Sequence, residues 1–329
     1  MDGKSHLIRV GATVFLLVLA AGCSKSKTSP SSLCDNEGAY LIAFASDRAT
    51  AGHYDIYLFD VLSSGFRLLK DLNSATATDS SPALSRDGQL IAFVRDPGTA
   101  GGTDICIYER LTCSLLSTPG LSTAGNETEP VFTGDTRRLA FVRDTLGHRR
   151  IRLINGGSLT FVPLPGLQEP APYDDWAPAP DSTGNLIAFV SDREGSPHLY
   201  LYNRTDQTLD DLPDLRAGDA RDLDPTLTPN GLFLCFASDR AGGQGGFDIY
   251  LAHLDASPPT ATTLPNLNTP GDERHPRIGH AAAYIAYQSQ SADPTGWNVH
   301  YYARNAGAVI SSAALSSDSS DVQPSVRLP

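Results

Sequence analysis

The sequence predicts an all-β fold, a six-bladed β-propeller of four-stranded antiparallel blades. Three observations carry the prediction. An aliphatic–small–aromatic triplet returns as Ile42-Ala43-Phe44, Ile91-Ala92-Phe93, Leu139-Ala140-Phe141, Ile187-Ala188-Phe189, Leu234-Cys235-Phe236 and Ile285-Ala286-Tyr287. Its aromatic residues lie 47 to 51 positions apart, the length of one small antiparallel sheet. A proline keeps step with it at Pro82, Pro130, Pro178, Pro225, Pro276 and Pro324. The third observation concerns the two ends of the array. The first unit starts at Ala39 without an opening segment, whereas Asp321 to Leu328 is an opening segment with no unit behind it. One missing and one spare piece of the same type predict a ring in which the C-terminal strand pairs into the first blade. Closure removes the unpaired sheet edges of an open array. An open solenoid would show polar capping repeats at both ends instead.

Three regions follow in chain order. Residues 1–22 read as an export signal: Lys4 and Arg9 are followed by the apolar run Val10 to Ala21, too short to span a bilayer comfortably. Small residues before Cys23, in Leu19-Ala20-Ala21-Gly22-Cys23, resemble the lipobox of bacterial lipoproteins, which implies lipidation of Cys23. The other reading of these residues is an ordinary secretory signal. Residues 23–38 are then a lipidated cysteine and a tether of Ser, Lys, Thr and Pro with nothing to bury. Residues 39–329 form the propeller. Ser24, rather than Asp, follows the cysteine, so outer-membrane delivery is expected over inner-membrane retention.

Within one unit, Asp79 to Ala83 opens a short strand and Arg86-Asp87-Gly88 turns it, Asp-Gly being a hairpin signal. Leu90 to Val94 is an apolar run suited to a strand buried on both faces. Asp104 to Tyr108 and Cys113 to Leu116 complete a four-stranded meander. The 329 residues, 40% hydrophobic, can bury a sizeable core, and 29 Gly with 23 Pro supply the many turns. The net charge is −12, and −13 once residues 1–22 are removed. With no Lys/Arg cluster to offer a basic face, a nucleic-acid partner is excluded.

The Asp-x-x-Pro, Ser-x-Asp-Gly, Ile-Ala-Phe-x-Ser-Asp-Arg and Asp-Ile-Tyr phrases, fullest in Asp79–Tyr108, Asp175–Tyr202 and Asp222–Tyr250, resemble the WD40-like propeller repeat of the TolB family. The resemblance covers residues 39–329 and implies the propeller fold, which hosts many unrelated tasks. TolB carries a further N-terminal α/β domain, for which the tether is expected to leave no room.

Acidic residues before each opening strand form the first candidate site: Asp79, Glu127, Glu129, Asp174, Asp175, Asp222, Asp224, Asp272, Glu273 and Asp321. If the blades are equivalent, these surround one channel mouth and could hold a cation or a basic peptide. The alternative is that each caps its own turn. Ser46-Asp47-Arg48, Ser191-Asp192-Arg193 and Ser238-Asp239-Arg240 are expected to join blade to blade. Ala241 to Gly246 reads as a flexible rim loop, and His275 and His280, without ligand spacing, share one opening strand and could approach the channel mouth. Cys106 and Cys113 flank one short turn, a spacing open to a cross-strand disulfide. Neither a Gly-x-Ser-x-Gly elbow nor a His-Glu-x-x-His motif occurs. The expectation is a non-enzymatic, lipid-anchored envelope scaffold without cofactor or metal, whose partner is an envelope protein or peptide. The alternative is an extracytoplasmic glycan-binding or hydrolytic propeller, which needs two carboxylates facing each other across a substrate.

Overall fold

Strands begin where the aliphatic runs begin. The computed structural model describes residues 40–327 apart from 100, 168–170, 280–281, 291–295, 311–314, 316 and 318. The expected signal, Cys23 and the tether lie outside the described residues. Blade 1 takes β1 (Leu41–Thr50), β2 (His53–Asp60) and β3 (Gly65–Arg67). Blade 2 takes β4 (Thr78–Leu84), β5 (Leu90–Asp96), β6 (Asp104–Glu109) and β7 (Ser114–Leu115). Blade 3 takes β8 (Glu127–Phe132), β9 (Arg138–Thr145) and β10 (His148–Asn155). Blade 4 takes β11 (Asp175–Pro180), β12 (Leu186–Ser191), β13 (His198–Asn203) and β14 (Thr208–Asp210). Blade 5 takes β15 (Asp222–Leu227), β16 (Phe233–Ser238), β17 (Asp248–His253) and β18 (Ala261–Thr263). Blade 6 takes β19 (Glu273–Ile278), β20 (Tyr284–Gln290), β21 (Trp297–Ala303) and β22 (Ala308–Ile310). The final strand, β23 (Asp321–Arg327), lies antiparallel to β1 with Leu41 opposite Arg327 and Ser46 opposite Asp321. It is the inner strand of blade 1, and the ring is closed as the spare segment predicts.

Blade 3 departs from the four-strand pattern. Its outer strand is reduced to one bridge between Ile154 and Phe161. Pro163 and Pro165 follow at once and have no N–H to extend the ladder.

The triplet explains the packing. In β1, Ile42 and Phe44 face blade 6, where they meet Val299 and Leu315, while Ala43 and Ala45 face Ile91 and Phe93 of blade 2. The same fit of small against aromatic recurs as Ala92 to Phe141, Ala140 to Phe189, Ala188 to Phe236 and Cys235 to Tyr287. Each interface is therefore one apolar cluster. Truncating any of these phenylalanines to Ala would cost about 3–5 kcal/mol.

Candidate functional site

Every inner strand opens on an acid with no access to solvent. Asp79, Glu127, Asp175, Asp222, Glu273 and Asp321 are at most 2% exposed. Five meet an arginine in or just after the second strand of the same blade at 2.8 Å: Arg95, Arg143, Arg193, Arg240 and, for Asp321, Arg48. The arginine also lies over the triplet aromatic, 5.0 to 5.6 Å from its ring centre in all five blades. It reaches the acid from two sequence positions. Arg95 and Arg143 stand two residues after the aromatic. Arg48, Arg193 and Arg240 stand four after it and fold back onto the Ser46, Ser191 and Ser238 hydroxyls. The pairs thus form inside each blade rather than between blades as expected. Blade 6 has no such arginine, and Glu273 instead accepts bonds from the Thr269 N–H and from the Thr269 and Ser289 hydroxyls. Burial raises the carboxyl pKa of Asp79, Asp175 and Glu273 against these donors.

Two more of the predicted acids sit between blades. Asp174 binds Arg149 at 2.9 Å, and Asp272 accepts the Phe247 N–H at 3.0 Å. Only Glu129 and Asp224 line either described cavity of the channel. The expected ring of ten carboxylates is therefore mostly frame, because six of its members turn into their own blades, five to meet arginine and Glu273 to meet Thr269 and Ser289.

What does line the channel is set by a repeated backbone break. All six inner strands lose register just before the residue that follows the proline. In blade 2, Ser81 and Pro82 together oppose Phe93, a β-bulge that re-aims the side chain before it. The residue before each proline is left-handed: Ser81, Glu129, Ala177, Asp224, His275 and Gln323 have φ between 48° and 54°. None is glycine, and such conformations cost on the order of 1–3 kcal/mol each unless the surroundings impose them. All six face one chamber of about 220 Å³, with Arg149, Trp176, Arg274 and Arg277. A second chamber of about 530 Å³ continues along the inner strands, past a collar formed by Pro82, Pro130, Pro178 and Pro225.

The bulge residues staple the blades in alternation. Glu129 of blade 3 accepts the Ala177 N–H of blade 4. Asp224 of blade 5 accepts the His275 N–H of blade 6 at 3.2 Å, and Gln323 of blade 1 accepts the Ser81 N–H of blade 2 at 2.9 Å. Asp224 also takes Arg274 at 2.6 Å and His275 Nδ1 at 3.2 Å. Burial opposes its charge, but His275 and Arg274 hold its pKa at about 2. Burial raises Glu129, with the Ala177 bond working against it, and lowers His275 to about 4. Among the described residues no group of three or more His, Cys, Asp or Glu is placed to hold a metal ion.

The sequence reading passed over Ser81, Ala177, Gln323, Arg149, Arg274 and Arg277. The usable signal was the position before each proline, not a residue type. His275, expected within reach of the channel mouth, lines the channel, and His280 lies outside the described residues. The Cys106–Cys113 disulfide does not form. Glu109 pairs with Ser114, which leaves Cys113 in the turn and Cys106 opposite Phe93. Cys106 and Cys235 are free, and Cys113 is in a disulfide with neither of them. The glycine-rich rim loop is largely exposed but runs close to its neighbours at Gly243 and Gly245. A Cβ on Gly245 would run into the Gly271 carbonyl, and one on Gly243 into the Asp248 carboxylate.

These features define a closed six-bladed β-propeller with a side-chain-lined channel. Within that class the chain folds as a TolB-type propeller. TolB from Acinetobacter baumannii superposes with a TM-score of 0.68 at 16% identity, over 88% of this chain and 67% of that one. A chain described as TolB from Agrobacterium tumefaciens gives 0.59 at 14%, over 83% and 88%. An oligogalacturonate lyase in complex with manganese gives 0.56 at 14%, over 84% and 74%. No protein-family model and no curated protein matches the sequence.

Proposed function

We propose that this chain is an exported, lipid-anchored propeller that binds a protein or peptide segment at its central channel and acts as a scaffold of the cell envelope. One observation carries the binding role: repeated and variable residues do different work. The residues that recur from blade to blade, the acid, the aromatic and in five blades the arginine, are consumed by the frame. Those that differ, Ser81, Glu129, Ala177, Asp224, His275 and Gln323, face the channel on a backbone the frame holds rigid. A variable lining on a fixed frame suits recognition. Chambers of about 530 and 220 Å³ suit an extended segment or a few side chains, with the rest of the partner on the rim. Export and anchoring rest on Lys4, Arg9, the apolar run and Cys23. Two signals, lipid and docked partner, would hold the body at the periplasmic face of an outer membrane or at the cell surface.

A photo-crosslinking residue at position 86, exposed at the larger chamber, tests the reading in the native envelope. The control is position 209, exposed on the outer strand of blade 4. A discrete protein adduct at 86 that is missing at 209 is expected. Identical products at both, or none at either, refute channel docking. Acyl incorporation that vanishes in Cys23→Ala tests the anchor.

A further inference from the structure

The channel is cationic in a chain of net charge −12. Its two chambers are lined by Arg86, Arg149, Arg274, Arg277 and Arg327 against Glu129, Asp181 and Asp224. This is the opposite sign to the carboxylate mouth that the sequence suggests. The excess is concentrated at one residue. Arg277 lines both chambers and so stands at the waist between them. Its counterparts after the other five prolines are Ala83, Val131, Ala179, Thr226 and Ser325, all short and uncharged.

Nothing among the described residues neutralises it. The hydrogen bond Arg277 makes is from Nη1 to the Pro276 carbonyl, 2.9 Å away on its own strand, and no carboxylate comes within ion-pair distance. The two acids nearest in charge are already engaged. Asp224 holds Arg274 and His275, and Glu129 holds the Ala177 N–H. Burial works against the guanidinium charge, and Asp224 and Glu129 offset it only from a distance. A guanidinium keeps its proton and has five N–H donors in a fork that matches a carboxylate. Most of those donors are unused here.

We propose that Arg277, flanked by Arg274 and His275, is an anion subsite, and that the segment docked in the channel presents a carboxylate to it. This inference rests on the channel-docking reading and names its ligand chemistry. The larger chamber favours a peptide as the source. Its walls beyond the waist include Leu84, Val131, Phe132, Leu227, Ile278 and Val326. Apolar side chains next to an acidic one would fit them, and a uronate has no such side chains to offer.

Trp176 lines the smaller chamber, with its ring 4.1 Å from the Arg149 guanidinium, and serves as the reporter. The chain has two tryptophans, so Trp297→Phe leaves one fluorophore. The full-length chain in detergent is titrated with four probes: acetyl-Leu-Glu-Leu-amide, acetyl-Leu-Gln-Leu with a free carboxyl end, acetyl-Leu-Gln-Leu-amide and tri-galacturonate. One of the two carboxylate peptides should bind at least ten times more tightly than the neutral amide, and which one tells a side-chain acid from a chain end. Arg277→Gln should weaken that peptide by about 10- to 100-fold and leave the neutral one unchanged. Arg277→Lys, which keeps the charge and loses the fork, should fall between. Equal binding of acidic and neutral peptides, an unchanged affinity in Arg277→Gln, or no saturable signal up to on the order of 10 mM overturns the subsite. Tighter binding of tri-galacturonate than of either acidic peptide overturns the peptide assignment. The crosslink at position 86 is read separately, so docking can stand where the subsite falls.

Discussion

Asp321→Asn tests the clasp that closes the ring. Both carboxylate oxygens of Asp321 accept from Arg48 Nη2 at 2.8 Å, and Oδ2 also accepts the Ser317 hydroxyl at 3.0 Å. The acid is wholly buried. Asparagine keeps the shape, removes the charge and leaves Arg48 facing an amide. Breaking a buried pair costs about 3–5 kcal/mol. Arg48 keeps its stacking on Phe44, Tyr57 and Phe66 and is 17% exposed, so about 2–3 kcal/mol is expected. With an unfolding entropy of about 0.6 kcal/mol per kelvin for a fold of roughly 290 residues, the melting temperature should drop by about 3–5 °C. Asp79→Asn, whose acid takes Arg95 through Nε and Nη2 at 2.8 Å, should lose a similar amount globally. The two should differ locally. Asp79 and Arg95 are 16 residues apart, Asp321 and Arg48 273. Releasing the distant strand recovers roughly 2–3 kcal/mol more chain entropy. Hydrogen exchange by mass spectrometry should therefore speed up in residues 41–46 and 321–327 of Asp321→Asn. Residues 79–96 of Asp79→Asn should change far less. An unaltered melting temperature, or equal acceleration in the two blades, would refute the clasp.

Three further outcomes are expected. Glu273→Gln should cost under about 1 kcal/mol in thermal melts, less than Asp79→Asn, because Thr269 and Ser289 can turn their hydroxyls and no cation is stranded. For His275, a pKa of about 4 in the fold lies below its unfolded value, so the unfolded chain binds the extra proton. Stability then falls as pH drops from about 6.5 toward 4, by about 2 kcal/mol at pH 5. His275→Gln should melt like the parent at pH 7.5 and above it at pH 5; a parent that gains on the variant at pH 5 would mean that Asp224 dominates instead. Non-reducing peptide mapping should join Cys113 to Cys34, since Cys106 and Cys235 are free and the proposed lipidation would take up the Cys23 sulfur.

The ring was legible because closure leaves a mark that survives divergence. Asp321 and Pro324 stand where Asp79 and Pro82 stand, and no other arrangement uses them. The acids were legible as a set, but not their direction, since a residue type does not reveal which face of a strand it takes. Asp222 and Asp224 are two residues apart, yet one enters the blade and the other the channel. The bulge at Asp224 and Pro225 breaks the period of two on which such a reading depends. The left-handed positions were hidden for a related reason. That conformation is normally betrayed by glycine or asparagine, and here Ser, Glu, Ala, Asp, His and Gln are held in it by the proline collar and the sheet. Arg277 had no repeat to mark it, being the exception in its column.

The alternating staples bind the two roles of the lining together. Glu129 and Asp224 hold a neighbouring blade by its backbone and also present oxygens to the cavity. A guest that drew either carboxylate toward itself would loosen a seam between blades 3 and 4 or between 5 and 6. Filling the pore and stiffening the wheel would then compete for the same few atoms, and the seams rather than the blades would be the parts that answer to what is bound.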